Sequence, residues 1–107
     1  MPDIFIRKTY LNELVSIIKR IYPKSVVWAY GSRVGYDKNN VDESSDLDLT
    51  IKEFGQSKHS VVHLKEALRE SNIPFLIDVS IFDNLPTNFQ KEILKQYIVI
   101  YDGKKIV

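Results

Sequence analysis

The sequence predicts an α+β fold in which helices pack on one face of a mixed β-sheet. Two observations lead to this fold class. Three segments repeat apolar residues at helical spacing, and four further segments have the length and apolar pattern of strands. Because the order is helix, strand, strand, helix, strand, helix, strand, the strands should form one sheet that the helices cover. A chain of 107 residues supports one core, so we expect a single domain over residues 1–107.

Composition excludes several classes of protein. A formal net charge of +1 gives no basic field for nucleic acid, so we do not expect a nucleic-acid partner. The chain has no cysteine, which excludes disulfides, thiolate zinc sites and cysteine nucleophiles. That absence also permits an intracellular location, and we expect the cytoplasm. No apolar run approaches the roughly 18 residues needed to cross a bilayer, so we expect no membrane contact.

The first elements are a helix and a central strand. Residues 9–22 repeat apolar side chains at helical spacing, and Pro23 ends the pattern. Residues 26–30, V-V-W-A-Y, are apolar throughout, which predicts a buried strand. Trp28 and Tyr30 share one face of this strand; we expect both in the core, with contact to a nucleotide base as the alternative.

A Gly-Ser turn follows that strand. Gly31 suits a position where the backbone turns sharply or approaches a ligand, and the turn exposes N–H groups and the Ser32 hydroxyl, which suit a phosphate. Gly and Ser are also common in turns of every kind. Arg33 can bind a phosphate through its guanidinium or serve as an ordinary surface residue.

The second strand, residues 46–52, carries two aspartates. Asp46 and Asp48 are two residues apart, so both carboxylates should leave one side of the sheet. Leu47, Leu49 and Ile51 should then enter the core from the other side of the strand. Two adjacent carboxylates repel each other unless a cation lies between them, and Mg²⁺ binds one or two carboxylates together with substrate phosphates. The alternative is the solvated side of an ordinary half-buried strand.

A helix is predicted over residues 57–71. Its His59 and His63 stand at the i, i+4 spacing of some zinc sites, but Ser60 occupies the position where that motif needs glutamate. The third strand, residues 75–82, is an apolar run with Asp78 in its middle. A carboxylate in a mostly buried strand must be paired, protonated or metal-bound; the alternative to a metal is a bond to backbone or to a lysine.

These motifs together resemble the minimal nucleotidyltransferases of the DNA polymerase beta-like superfamily. The resemblance rests on Y-G-S-R at residues 30–33, S-D-L-D-L at 45–49 and the strand aspartate Asp78. It extends to L-P at 85–86 and I-V-I-Y at 98–101, and so covers nearly the whole chain. The combined motif is strongly specific, although each part alone is not.

The resemblance implies the nucleotidyltransferase fold and the transfer of a nucleoside monophosphate from a triphosphate to a hydroxyl, with release of pyrophosphate. It implies that three carboxylates are catalytic and hold two Mg²⁺ ions: Asp46, Asp48 and Asp78. It implies that the turn binds the nucleotide, for which we expect ATP, through Gly31, Ser32 and Arg33. The partner it implies is a HEPN-domain toxin, with a tyrosine of that toxin as the AMP acceptor. Two alternatives stay open: a non-catalytic antitoxin that masks its partner, and transfer to a small molecule.

Overall fold

A computed structural model describes residues 2–37, 41–42, 44–55 and 60–105. Within these ranges the chain forms three α-helices: α1 (Lys8–Ile21), α2 (Val61–Arg69) and α3 (Thr87–Lys95). The strands are β1 (Asp3–Ile4), β2 (Val26–Tyr30), β3 (Val34–Gly35), β4 (Leu47–Glu53), β5 (Ile77–Ile81) and β6 (Ile98–Asp102). Three short 3₁₀ turns cover Gly31–Arg33, Phe82–Asn84 and Gly103–Lys105. None of the helices in the described ranges is long and apolar enough to cross a membrane.

Four strands form a mixed sheet in the order β5-β4-β2-β6, as the α+β prediction requires. β2 pairs antiparallel with both β4 and β6, whereas β4 and β5 are parallel. The two central strands are therefore β2 and β4, and β5 and β6 form the edges. The short strands β1 and β3 make a separate antiparallel pair.

The sheet has two different faces, which we call the closed face and the open face. The closed face carries Val27, Ala29, Leu47, Leu49 and Ile51, which pack with buried residues of α1 and α2 in one apolar core. The open face carries the alternate residues of the same strands, from Trp28 and Tyr30 on β2 to Asp48 on β4 and Asp78 on β5.

The third helix departs from the prediction that helices cover one face. Ile93 of α3 packs in a second apolar cluster with Val26, Trp28 and Phe82. This cluster lies on the open face, since Val26 and Trp28 alternate with the closed-face residues of β2. The reason is that β2 is apolar on both sides, so the side turned away from α1 and α2 also needs a cover.

Several boundaries also differ from those predicted. The short strand β3 follows the Gly-Ser turn directly, and the helix predicted over 57–71 begins at Val61. The third strand is shorter, at Ile77–Ile81, and forms an edge of the sheet. Asp78 on that strand is exposed, so the expectation of a mostly buried carboxylate there is wrong.

Candidate active site

Strand register brings the three predicted carboxylates together on the open face. Asp48 of β4 stands directly opposite Asp78 of β5 in the parallel pair, so their side chains leave the same face. Asp46 immediately precedes β4 and lies two residues before Asp48, which puts it on the same side. Asp46 and Asp78 are exposed, and Asp48 is half-buried between them.

The electrostatics of this group favour a bound cation. Burial raises the pKa of the Asp48 carboxyl, and the negative charges of Asp78 and Asp46 raise it further. Among the described residues, none of these three carboxylates has a hydrogen bond or an ion pair. A divalent cation would therefore relieve a repulsion that the surrounding protein leaves uncompensated.

The three carboxylates fit an open Mg²⁺ site rather than a site in which protein side chains surround the ion. In the described part of the chain, no three His, Cys, Asp or Glu side chains converge closely enough to surround an ion. Magnesium does not need such a cage, because it is usually held by one or two carboxylates with water and substrate phosphates completing the octahedron. The carboxylates Asp46, Asp48 and Asp78 offer that kind of open, oxygen-only site.

The Gly31 turn meets the carboxylates at close range. Gly31 has a φ of +84°, a left-handed conformation that glycine adopts without strain. A Cβ atom at this position would overlap Oδ2 of Asp48, so a side chain there would displace that carboxylate. Gly31 and Ser32 are both exposed, and the backbone and hydroxyl of the turn therefore lie open beside the Asp48 carboxylate.

Arg33 is engaged elsewhere in the structure. Its side chain is buried, with Nε donating to the Ser45 carbonyl at 2.7 Å and Nη1 donating to the Phe5 carbonyl at 2.8 Å. The guanidinium also lies 3.9 Å from the centroid of the Phe75 ring. The phosphate-binding role of Arg33 stays a prediction. Because Ser45 directly precedes Asp46, these contacts hold the start of the aspartate strand in place.

Tyr30 is the site residue that sequence reasoning placed in the core. It is half-buried on β2 directly opposite Asp48. Burial raises the pKa of the Tyr30 phenol; the Ser80 hydrogen bond lowers it, and the charges of Asp48 and Asp78 raise it. Sequence reasoning expected Tyr30 in the core because it shares a strand face with Trp28. Trp28 does belong to the core, where it stacks on Tyr97 with a centroid distance of 4.1 Å.

Of the two histidines at zinc-site spacing, His59 lies outside the described residues. His63 takes part in a capping box at the start of α2, with Nδ1 3.1 Å from the Ser60 hydroxyl. A cavity of about 590 Å³ borders Arg33, Asp42 and Phe75. The candidate catalytic residues Asp46, Asp48 and Asp78 do not line it.

Comparisons with known proteins agree with this arrangement. The profile of the polymerase beta nucleotidyltransferase family matches residues 12–106. A relative from Haemophilus influenzae, named a probable protein adenylyltransferase MntA, is 34% identical over 103 residues, which cover 95% of this chain and 88% of the relative. A crystal structure of a toxin-antitoxin with AMP-PNP has the same fold, with a TM-score of 0.64 and 16% identity over 86% of this chain and 73% of its own.

The matched residues contain the Gly-Ser turn and all three carboxylates. The predicted family and the predicted nucleotidyltransferase fold are thus confirmed, together with the prediction of an enzyme. The chain belongs to the polymerase beta family of nucleotidyltransferases.

Proposed function

We propose that this nucleotidyltransferase moves AMP from ATP to a hydroxyl group of a partner protein with the help of Mg²⁺. The observation that carries the proposal is the open-face alignment of Asp48 with Asp78, with Asp46 beside them and the Gly31 turn against Asp48. The relative from Haemophilus influenzae, which is named a probable protein adenylyltransferase, supports AMP as the group transferred and a protein as its acceptor.

Each site residue has a distinct role in this proposal. Asp46 and Asp48 would hold the ion that accompanies the triphosphate, and Asp78 would contribute to the site of a second ion. Mg²⁺ bound at these carboxylates would supply neutralisation of phosphate charge and a lower pKa of the attacking hydroxyl. The Gly31 N–H and the Ser32 hydroxyl donate hydrogen bonds to the outer phosphates, because both lie open beside Asp48.

The chemical step needs little from the protein beyond positioning. The acceptor oxygen forms a bond to the α-phosphorus of ATP, and the bond from that phosphorus to the bridging oxygen breaks. Pyrophosphate leaves with the electron pair of the broken bond. The hydroxyl proton passes to the exposed carboxylate of Asp78 or to water. Holding the two reactants in line is the main catalytic contribution of such a site.

The acceptor belongs to another molecule in this proposal. Asp46 and Asp78 are exposed, so the carboxylates can be approached from outside the chain. We infer a toxin protein as the partner, since the solved structure with the same fold is titled as a toxin-antitoxin with AMP-PNP. In the finer form of the proposal, residues 1–107 act as one domain in the cytoplasm, and the acceptor is a tyrosine of a HEPN-domain toxin.

Mass spectrometry of the co-encoded partner protein tests the proposal. After incubation with ATP and Mg²⁺, the wild-type enzyme should add the mass of AMP to that partner. Asp46→Asn should abolish the addition yet leave association of the two proteins unchanged. Glu66→Gln, which also removes an exposed carboxylate but on α2, is the matched control and should transfer normally.

The same experiment has an outcome that overturns the proposal. If wild type adds no nucleotide to the partner and still silences it on binding, the enzyme reaction proposed here fails. The non-catalytic antitoxin that masks its partner then takes its place.

A further inference from the structure

We propose that an extended segment of the acceptor protein adds to the edge of the sheet at β5 as a further strand, and that this pairing brings the acceptor hydroxyl to Asp78. The inference rests on the proposed function, because it concerns the molecule that receives AMP. β5 ends the four-stranded sheet, so its outer side has no neighbouring strand among the described residues. Extended peptides bind many proteins by pairing with a sheet edge of this kind.

The backbone of β5 leaves a row of hydrogen-bonding groups at that edge. The Leu47 N–H donates to the Leu76 carbonyl at 2.9 Å, and β4 and β5 are parallel. Because the bonded residues of each strand alternate along such a pair, Asp78 and Ser80 also turn their backbone groups towards β4. The N–H and C=O groups of the odd-numbered residues from 77 to 81 therefore point outward. Within the described ranges they have no backbone partner.

This edge lacks the features that commonly keep a strand from pairing with another chain. Natural edge strands are often protected by proline, by lysine or by a bulge. Residues 77–81, I-D-V-S-I, contain neither proline nor lysine, and the pairing of β5 with β4 has no register shift. The other edge strand, β6, pairs with β2 through a register shift between Val27 and Trp28. Of the two edges, β5 is therefore better suited to accept a further strand.

An exposed apolar side chain lies at the same edge, beside the carboxylates. Leu76 is 74% exposed, whereas leucine is usually buried. The register that sets Asp48 opposite Asp78, extended by two residues, sets Asp46 opposite Leu76 on the open face. A single exposed leucine needs no explanation by itself. At the start of an unpaired edge, however, Leu76 offers apolar contact to an added strand next to the candidate metal site.

The strand spacing brings the acceptor side chain to the reacting atoms. Neighbouring strands lie about 4.8 Å apart, so a residue opposite Asp78 would project its side chain from the open face beside that carboxylate. Asp78 is exposed, and the proposed function assigns it the hydroxyl proton. ATP bound over Asp46 and Asp48 would face the acceptor from one strand further in. The residue two positions from the acceptor would then contact Leu76, and we expect it to be apolar.

Amide hydrogen exchange, followed by NMR with and without the co-encoded partner protein, tests the edge directly. An added strand should slow exchange of the odd-numbered amides from 77 to 81 about tenfold or more, because they gain hydrogen bonds. The amides of Asp78 and Ser80 already bond to β4 and should change less. The amides of β6, on the other edge, should exchange at unchanged rates.

Kinetics of Leu76→Gln test the contact beside the carboxylates. The exchange adds no charge, and Leu76 belongs to neither apolar cluster, so the fold should be kept. The KM for the partner should rise about tenfold through lost apolar contact, with kcat and the affinity for Mg²⁺ with ATP unchanged. Leu94→Gln makes the same exchange at an exposed position on α3 and should transfer AMP like wild type.

The outcomes separate this proposal from the proposed function. Unchanged exchange of the outward amides in the bound complex would overturn the added strand, while AMP transfer by wild type would leave the proposed function standing. A wild-type KM in Leu76→Gln would overturn the contribution of that side chain. If wild type transfers no AMP, the proposed function fails. Slowed exchange would then still locate the partner at β5, and unchanged exchange would overturn both proposals.

Discussion

The closed and open faces of the sheet use the same strands for opposite purposes. On β4, Leu47, Leu49 and Ile51 are at most 1% exposed and lie in the core under α1 and α2. The residues between them place Asp48 and Thr50 on the other side. One seven-residue strand therefore carries both the centre of the apolar core and the centre of the candidate active site.

The difference between the faces separates stability from function. Every side chain on the closed face contributes by burial, and none of those named is charged. The open face instead concentrates three carboxylates that have no described partner and that raise the pKa of one of their own members. Such a group of repelling carboxylates lowers stability in the absence of ligand. Groups of this kind are found at functional sites, where the negative charge serves binding. Substitutions on the two faces should therefore affect stability in opposite directions.

The largest effect on stability should come from the closed face. Leu49→Ala removes a fully buried side chain from the core and should lower the free energy of unfolding by about 2–5 kcal/mol. At this chain length the melting temperature should fall by roughly 10 °C or more, measured by thermal denaturation. Leu49→Met, which keeps most of the volume, should cost less than about 1.5 kcal/mol. An unchanged melting temperature in Leu49→Ala would show that the closed face does not form the core.

A smaller loss of stability should follow from substitution of Arg33, whose side chain binds the backbone just before β4. Arg33→Gln removes charged donors from the Ser45 and Phe5 carbonyls and should destabilise the protein by about 2 kcal/mol. ATP affinity of the folded variant, measured by calorimetry, should change little. The control is Arg69→Gln, an exposed position on α2. Loss of ATP binding at unchanged stability would instead support the phosphate-binding role predicted from the sequence.

The smallest effect, with the opposite sign, should come from Asp48. Its raised pKa means that the folded protein holds the proton more firmly than the unfolded chain, where the ordinary value is 3.8. Stability therefore falls as pH rises from about 3.8 through the raised pKa, and the ionised carboxylate is a cost at neutral pH. Asp48→Asn removes this cost.

In the presence of a chelator at pH 7, Asp48→Asn should melt at the wild-type temperature or above it. The difference between the two proteins should shrink toward pH 4, where wild type gains the proton. Thermal denaturation at both pH values measures it. A clear drop in melting temperature for Asp48→Asn would mean that Asp48 is a structural acid with a bonded partner, and the contrast between the two faces would not hold.

The sequence by itself determined the parts that depend on local order. Alternation along β4 placed Asp46 and Asp48 on one side and the leucines on the other, because successive side chains of a strand point to opposite faces. The first central strand has the predicted bounds, Val26–Tyr30. The combination of Gly-Ser turn, paired aspartates and a later strand aspartate was sufficient to indicate the family, because together these motifs resemble those of known nucleotidyltransferases.

Only the tertiary structure decided which partners those residues meet. Pairing of β4 with β5 set Asp78 beside Asp48 at an edge of the sheet, where the carboxylate is exposed rather than buried. Packing buried Arg33 against segments 12 and 28 residues away along the chain. The open-face position of α3 created a cleft beside Gly31. Each of these contacts joins residues distant in sequence, and hydrophobic periodicity reports which side of an element is buried without reporting what lies against it.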